Sequence, residues 1–397
     1  MKPRVVSPHV LNLAGSNRWP GARAYRFVID RFLVLPIGAF VAIVWANTAS
    51  EGYFWFAHAL AFPVNQIGMA LFFALLAQDV TEALMSGGAL HRWRKWTLPF
   101  MAAAGGLAGS AAVYLFYVSA AHETVLSSAW PIACAIDIAA AYYVLKTIVR
   151  RSGMIPFLVL LAAATDAFGL LVAAWPRWGE PHPGSLLLML VALGLAWRLK
   201  RGGVRAFWPY LGICGPLSWT ALYLAGTHPA LALIPIVPFL PHEPRPTEVF
   251  AEPAPDDLVH RSERDWHEVV QIVLFFFGLV NAGVLLRGYD TGTWAIMTAG
   301  LVGRPVGIVI ATALAVGLGL RLPRGVGWRE VIVVALATTS GFTFALFFAT
   351  SLLPMGAVLT QVKMGALLTA IGAVAAIGVA RLLRVGRPAP HRPHAVR

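Results

Sequence analysis

Between Phe27 and Arg384 the chain is a succession of apolar runs, each close to the length a helix needs to cross a bilayer. Such a helix takes about 20 apolar residues to span roughly 30 Å of hydrocarbon, and lipid offers its backbone no hydrogen-bond partner outside the helix. Runs that meet this test begin near Phe27, Pro63, Thr97, Val125, Met154, Ser185, Phe207, Thr227, Trp266, Trp294, Val331 and Gly356. The expected fold is an all-α polytopic membrane protein with about twelve spans. Those near Ser185, Phe207 and Thr227 are short and proline-interrupted, so the count carries a margin of one or two. A membrane barrel would instead alternate polar and apolar residues over segments of about ten, and no such segment is visible. Composition agrees: 58% of the residues are hydrophobic and 12% are Asp, Glu, Lys or Arg, against roughly 25% charged in soluble domains.

Lysine and arginine number 31 against 18 acids, a formal net charge of +13. On a soluble domain that excess suits nucleic acid. Here the bases gather in alternate connections: residues 18–26, 92–95, 146–151, 198–205, 321–329 and 381–387. The intervening connections, around Glu51, His122, Glu180, Asp290 and Pro354, are poor in Lys and Arg. This alternation places both termini in the cytoplasm and the spans in the cytoplasmic (inner) membrane, with no nucleic-acid partner. Residues 1–26 are polar and basic and do not read as a signal peptide. The two cysteines, Cys134 and Cys214, lie inside apolar runs and build neither a disulfide framework nor a zinc motif. Residues 242–265 are rich in proline and acids and read as a solvated cytoplasmic link. The chain then divides into a cytoplasmic segment 1–26, a first membrane half 27–241 with spans one to eight, the link 242–265, a second half 266–384 with spans nine to twelve, and a basic tail 385–397.

Charged groups inside the spans are few enough to be taken singly. Asp137 lies in the middle of the fourth span and Asp166 in the middle of the fifth, directly after Thr165. An ionised aspartate at the bilayer centre costs on the order of 3 kcal/mol, so two on consecutive spans point to an ion or proton site. The competing reading for each is a polar contact between helices. Arg304 in the tenth span and Lys363 in the twelfth must face the bundle interior or reach an interface. Arginine keeps its proton, so Arg304 reads as a fixed positive charge set against a carboxylate or a helix C-terminus. Trp130-Pro131 precedes Asp137, and Thr338-Thr339-Ser340-Gly341 interrupts the eleventh span. If spans three to five and ten to twelve are repeats, these breaks fall at matching places, the sign of an inverted-repeat transporter. His228 opens the eighth span and reads as a helix-end contact or a proton relay. Asp79 and Glu82, at the cytoplasmic end of the second span, line an entrance or are solvated. No phosphate loop and no HExxH pair is present, so an enzyme is not expected.

Local motifs from about Val64 to Arg384 resemble the NhaA-type sodium/proton antiporters. They include Val64-Asn65-Gln66 with Leu71-Phe72-Phe73, Pro99 through Gly105-Gly106, and Ala135-Ile136-Asp137-Ile138-Ala139. Asn281-Ala282-Gly283-Val284, Gly303-Arg304-Pro305-Val306-Gly307-Ile308, Gly341-Phe342-Thr343 and Lys363 follow in the same order. The resemblance implies crossed, broken fourth and eleventh helices and a cation site on the fifth. It implies a pH-responsive stretch where Asp79 and Glu82 stand, and His228, by its own place at a span end, is a further pH-response candidate. Where the family carries adjacent aspartates this chain reads Thr165-Asp166, and its lysine is Arg304 here. The expected activity is exchange of Na+ (or Li+) for H+ at Asp166, assisted by Thr165 and Asp137, with Arg304 and Lys363 balancing charge. Residues 338–341 would line the break. With one titratable carboxylate evident at the site, the exchange is expected to be electroneutral. No cofactor is expected, the bilayer is the surrounding partner, and a second copy of the chain is left open. The alternatives are a carrier of this fold for another solute, or a non-transporting sensor or assembly homologue.

Overall fold

The computed structural model describes residues 34–84, 93–148, 154–173, 182–204, 206–240, 258–287, 289–323 and 325–385. The segment 1–26, most of the link and nearly all of the tail lie outside these residues. So do some side chains within helices, those of Asp79, Glu82 and Asp166 among them. Every regular element among the described residues is helical.

Helix α1 (Val34–Thr48) is followed by α2 (Ser50–Phe62), which continues through a wide turn at Pro63–Gly68 into α3 (Met69–Leu84). The sequence places the second span from Pro63 onward, but helix begins thirteen residues earlier, and Ser50–Gln78 is one unbroken membrane-length helix. The reason is local: residues 50–62 hold no proline and a single glycine, Gly52. Next come α4 (Trp93–Ala120), α5 (Trp130–Ala133), α6 (Ile138–Ile148), α7 (Met154–Ala173), α8 (Gly184–Arg201) and α9 (Gly215–Leu224). The second half holds α10 (Leu258–Asn281), α11 (Thr291–Thr298), α12 (Arg304–Gly317), α13 (Trp328–Ala337), α14 (Phe342–Leu352), α15 (Ala357–Leu368) and α16 (Ile371–Leu382). Three wide turns, at Pro63–Gly68, Tyr210–Cys214 and Ala299–Gly303, each adjoin a proline: Pro63, Pro216 or Pro305. A proline ring has no N–H to give and collides with the carbonyl four residues back, so the helix widens there without breaking.

Two stretches differ from the sequence reading. Residues 227–240, read as the eighth span, form only short 3₁₀ turns at Pro229–Leu231 and Val237–Phe239. Pro229, Pro235 and Pro238 withhold amides and push the residues before them out of helical geometry. The segment is nonetheless buried, and Ser218 Oγ donates to its Ala232 carbonyl at 2.6 Å. Conversely, residues 258–265 of the link already belong to α10. The last proline of the link is Pro255, and nothing after it interrupts a helix.

Packing sorts the helices into two groups, each drawn from both halves of the chain. One holds α4–α7 with α11–α16; the other holds α1–α3 and α8–α10 with residues 227–240. The tightest seam of the first group joins α4 to α12. A Cβ at Gly307 would strike the Gly105 carbonyl, and one at Gly109 would strike the Gly303 carbonyl. In the second group Gly38 and Gly278 bring α1 against α10 in the same way. Small residues permit such approach, and lipid supplies no hydrophobic drive to replace the contacts it creates. The two groups meet through rings: Phe73 of α3 lies 4.7 Å from Phe347 and 5.6 Å from Phe344 of α14, centroid to centroid.

Gly307→Ala is expected to destabilise the protein by about 1–3 kcal/mol through overpacking of the α4–α12 seam. Gly194→Ala, where nothing lies within 4 Å, is expected to hold or slightly raise stability. Thermal unfolding in detergent compares the two.

Candidate functional site

The fourth and eleventh spans both lose their helix at mid-length, and the breaks cross. Helix α5 stops at Ala133, residues 135–137 run without helix, and α6 begins at Ile138. Helix α13 stops at Ala337, α14 begins at Phe342, and their axes differ by 45°. The local chemistry favours the second stop. Thr338 Oγ1 donates to the Ala335 carbonyl and Thr339 Oγ1 to the Leu336 carbonyl, both at 2.8 Å, so hydroxyls compete with backbone amides for the last acceptors of α13. Gly341 is required by proximity, because a Cβ there would strike the Ala135 carbonyl. The Asp137 amide donates to the Ser340 carbonyl at 2.7 Å and ties the two breaks together. Thr369 Oγ1, on the twelfth span, accepts from the Gly341 amide at 3.3 Å.

Each break exposes two helix ends, and charged side chains of opposite sign meet them. Asp137 Oδ1 accepts from the Ala140 amide in the first turn of α6 at 3.2 Å. Its Oδ2 accepts from Thr343 Oγ1, in the first turn of α14, at 2.7 Å. Arg304, only 1% exposed, reaches the other two ends. Its Nη2 donates to the Ala133 carbonyl at 3.1 Å and its Nη1 to the Thr338 carbonyl at 3.4 Å. A helix end carries about half an elementary charge, positive at the N-terminus and negative at the C-terminus. The carboxylate therefore sits at two N-termini and the guanidinium at two C-termini.

Beside this crossing lies a cavity of about 250 Å³ lined by Cys134, Ala135 and Ile136 of the fourth span, Thr165 of α7, and a wall of Trp130, Phe168, Phe344 and Phe348. Thr165 is its polar side chain, buried, with its hydroxyl donating to the Leu161 carbonyl at 2.9 Å. The proton of that hydroxyl is committed, and its lone pairs remain to accept. Helix α7 carries Asp166 next in sequence, with its side chain outside the described residues. Asp79 and Glu82 lie on the last turns of α3, their side chains likewise outside.

Lys363 and His228 stand elsewhere, on a second cavity of about 460 Å³ shared with Asn65 and Asn281. His228 is buried, accepts at Nδ1 from the Ala230 amide at 3.2 Å, and packs edge-on to Phe347 at 4.8 Å. Asp137, Arg304 and residues 338–341 are thus brought to one place with Thr165 alongside. Thr343 joins them although no sequence pattern marks it as a partner of Asp137. The reciprocal amide pair of Asn65 and Asn281, at 2.7 and 3.1 Å, is equally silent in the sequence. Only a span-depth asparagine on each of two helices hints at it.

The family model described as Na+/H+ antiporter 1 matches residues 31–382. The Na(+)/H(+) antiporter NhaA of Desulfitobacterium hafniense is 36% identical over 376 residues, covering 91% of this chain and 97% of that protein. The Na(+)/H(+) antiporter NhaA of Geobacter metallireducens is 38% identical over 363 residues, covering 88% and 95%. Among solved structures, the sodium proton antiporter MjNhaP1 from Methanocaldococcus jannaschii at pH 8 is similar with a TM-score of 0.54 at 12% identity, over 91% of this chain and 94% of that one, a likeness of fold alone.

Thr343→Val is expected to cost about 1.5–3 kcal/mol, the worth of a hydrogen bond to a charged group. Thr298→Val, whose exposed hydroxyl bonds its own helix at Trp294, is expected to change stability by less than about 0.5 kcal/mol. Melting temperatures of the two purified variants against the unaltered chain make the comparison.

Proposed function

The chain belongs to the Na+/H+ antiporter 1 family, and from that premise we propose that it exchanges Na+ for H+ across the inner membrane, with Asp166 as the carboxylate that holds either ion. The crossing of two interrupted spans supports this reading most. It places backbone ends, a carboxylate and a guanidinium at mid-depth, where lipid tolerates them only beside a polar path. Thr165, on the wall of the cavity at this crossing, offers hydroxyl lone pairs to a hard cation. Lithium suits the same oxygen ligands.

Exchange follows when one carboxylate accepts a proton or a cation but not both. A free aspartate binds its proton only near pH 4, so competition at neutral pH draws on a setting that penalises the bare charge. Thr165 does not titrate in this range and Arg304 keeps its proton. Both oxygens of Asp137 are engaged as acceptors at the crossing. Asp166 is then the single exchanging group, and one proton moves per sodium ion. Alternating access comes from the α4–α7 and α11–α16 group rocking against the other. The two groups meet through phenyl rings, a contact that holds no hydrogen bond to break on sliding. The basic loops support a cytoplasmic side for both termini.

Asp166→Asn is expected to abolish sodium- or lithium-driven proton release, read by fluorescence dequenching in everted vesicles. Retention of full activity would move the exchange site elsewhere. In proteoliposomes the rate is expected to be unchanged by an imposed membrane potential. A several-fold dependence on potential would show a second proton carrier.

A further inference from the structure

The 460 Å³ cavity is separate from the one that Thr165 lines and has a chemistry that the exchange reading leaves unused. Its charged or titratable walls are Lys363, His58, His228 and Tyr53, and no Asp or Glu lines it among the described residues. Gly356, Leu359, Thr360 and Lys363 recur at spacings of three and four, so one face of α15 forms a wall. The N-cap of α15 is Gly356, which has no side chain to cap the helix. Side chains on a helix lean toward its N-terminus, so Lys363 extends toward that same end. A cation at a helix N-terminus is the unfavourable pairing, because both carry positive charge. Lys363 has no hydrogen bond or ion pair to a described residue that would offset it. Buried Oε1 of Gln66, on the same cavity, also has no partner among the described residues.

We propose that this cavity binds a small monovalent anion of the chloride class, held by Lys363 and the first turn of α15. The Lys363 ammonium and the first turn of α15 supply donors and positive charge, and with no carboxylate on the cavity wall among the described residues a counter-charge can come from solution. The volume holds an anion with several waters at about 30 Å³ each, and one such water satisfies Gln66 Oε1. The cavity adjoins residues 283–284 and 353–356, in connections that the basic-loop pattern sets on the non-cytoplasmic side, so the anion enters from outside. An anion there cancels the charge of Lys363 on the approach of a cation. That consequence rests on the exchange reading, while the binding itself does not.

The test uses the full chain in detergent, with chloride replacing gluconate at constant sodium and ionic strength. The melting temperature is expected to rise saturably with chloride by about 2–4 °C. Lys363→Arg is expected to keep the rise and Lys363→Gln to lose it. Thr360→Glu, which places a carboxylate one turn before Lys363, is expected to lose the response with its fold intact. Equal melting in chloride and gluconate, or a full response in Lys363→Gln or Thr360→Glu, overturns the proposal. Asp166→Asn is expected to respond to chloride as the unaltered chain does. Loss of the response there would place the anion at the exchange site and overturn the assignment to this cavity.

Discussion

Four helix ends at mid-depth are what the rest of this structure has to accommodate. A helix that stops inside the bilayer leaves amides or carbonyls that no lipid can satisfy, each worth several kcal/mol if left bare. The chain answers by crossing its two interrupted spans, so that the ends of one lie against the ends of the other. Asp137 then serves two N-termini at once and Arg304 two C-termini. Neither charge is tolerable without the other pair of ends, and neither break is tolerable without its charge. The arrangement is mutual, which is why it persists at a depth where a lone aspartate or arginine would not.

Such a crossing demands that backbones come closer than ordinary side chains allow. Gly341 meets the Ala135 carbonyl, and Gly105, Gly109, Gly303 and Gly307 bring α4 and α12 into backbone contact alongside. The second seam fixes Arg304, because residue 304 opens α12 directly after the wide turn at Ala299–Gly303. Pro305 causes that turn, and the guanidinium is thereby aimed at the crossing. Sequence, packing and electrostatics act together here: a proline widens a helix, glycines seat it, and a buried cation meets the exposed carbonyls.

Much of the architecture is legible in the sequence because lipid leaves so few options. The apolar runs at Thr97, Met154 and Trp294 become α4, α7 and α11–α12, and the Thr-Thr-Ser-Gly run marks the break in the eleventh span. Residues 227–240 are less legible, since hydropathy registers burial while prolines decide geometry. The partners at the crossing are not legible at all. That Thr343 reaches Asp137, or that Arg304 divides its guanidinium between Ala133 and Thr338, depends on three-dimensional approach between residues 34 to 206 positions apart. No local pattern encodes such a distance. A hydroxyl near a helix start is also so commonly bonded to its own turn that Thr343 carries no signal by type.

The choice of arginine at position 304 bears on the chemistry as much as on the fold. A guanidinium presents donors in a fixed plane and keeps its charge at any accessible pH, whereas an ammonium is a flexible point charge that holds its proton less firmly on burial. The two acceptors of Arg304 belong to different spans, and a planar fork holds both without choosing between them. A residue so committed to the helix ends is withdrawn from proton traffic. The same withdrawal applies at position 165, where a threonine stands beside Asp166 and its proton is given to the Leu161 carbonyl. Both residues are polar, and neither titrates in the accessible range. Arg304 is thus committed to the crossing and Thr165 to its own helix, and neither offers a second titrating group beside Asp166.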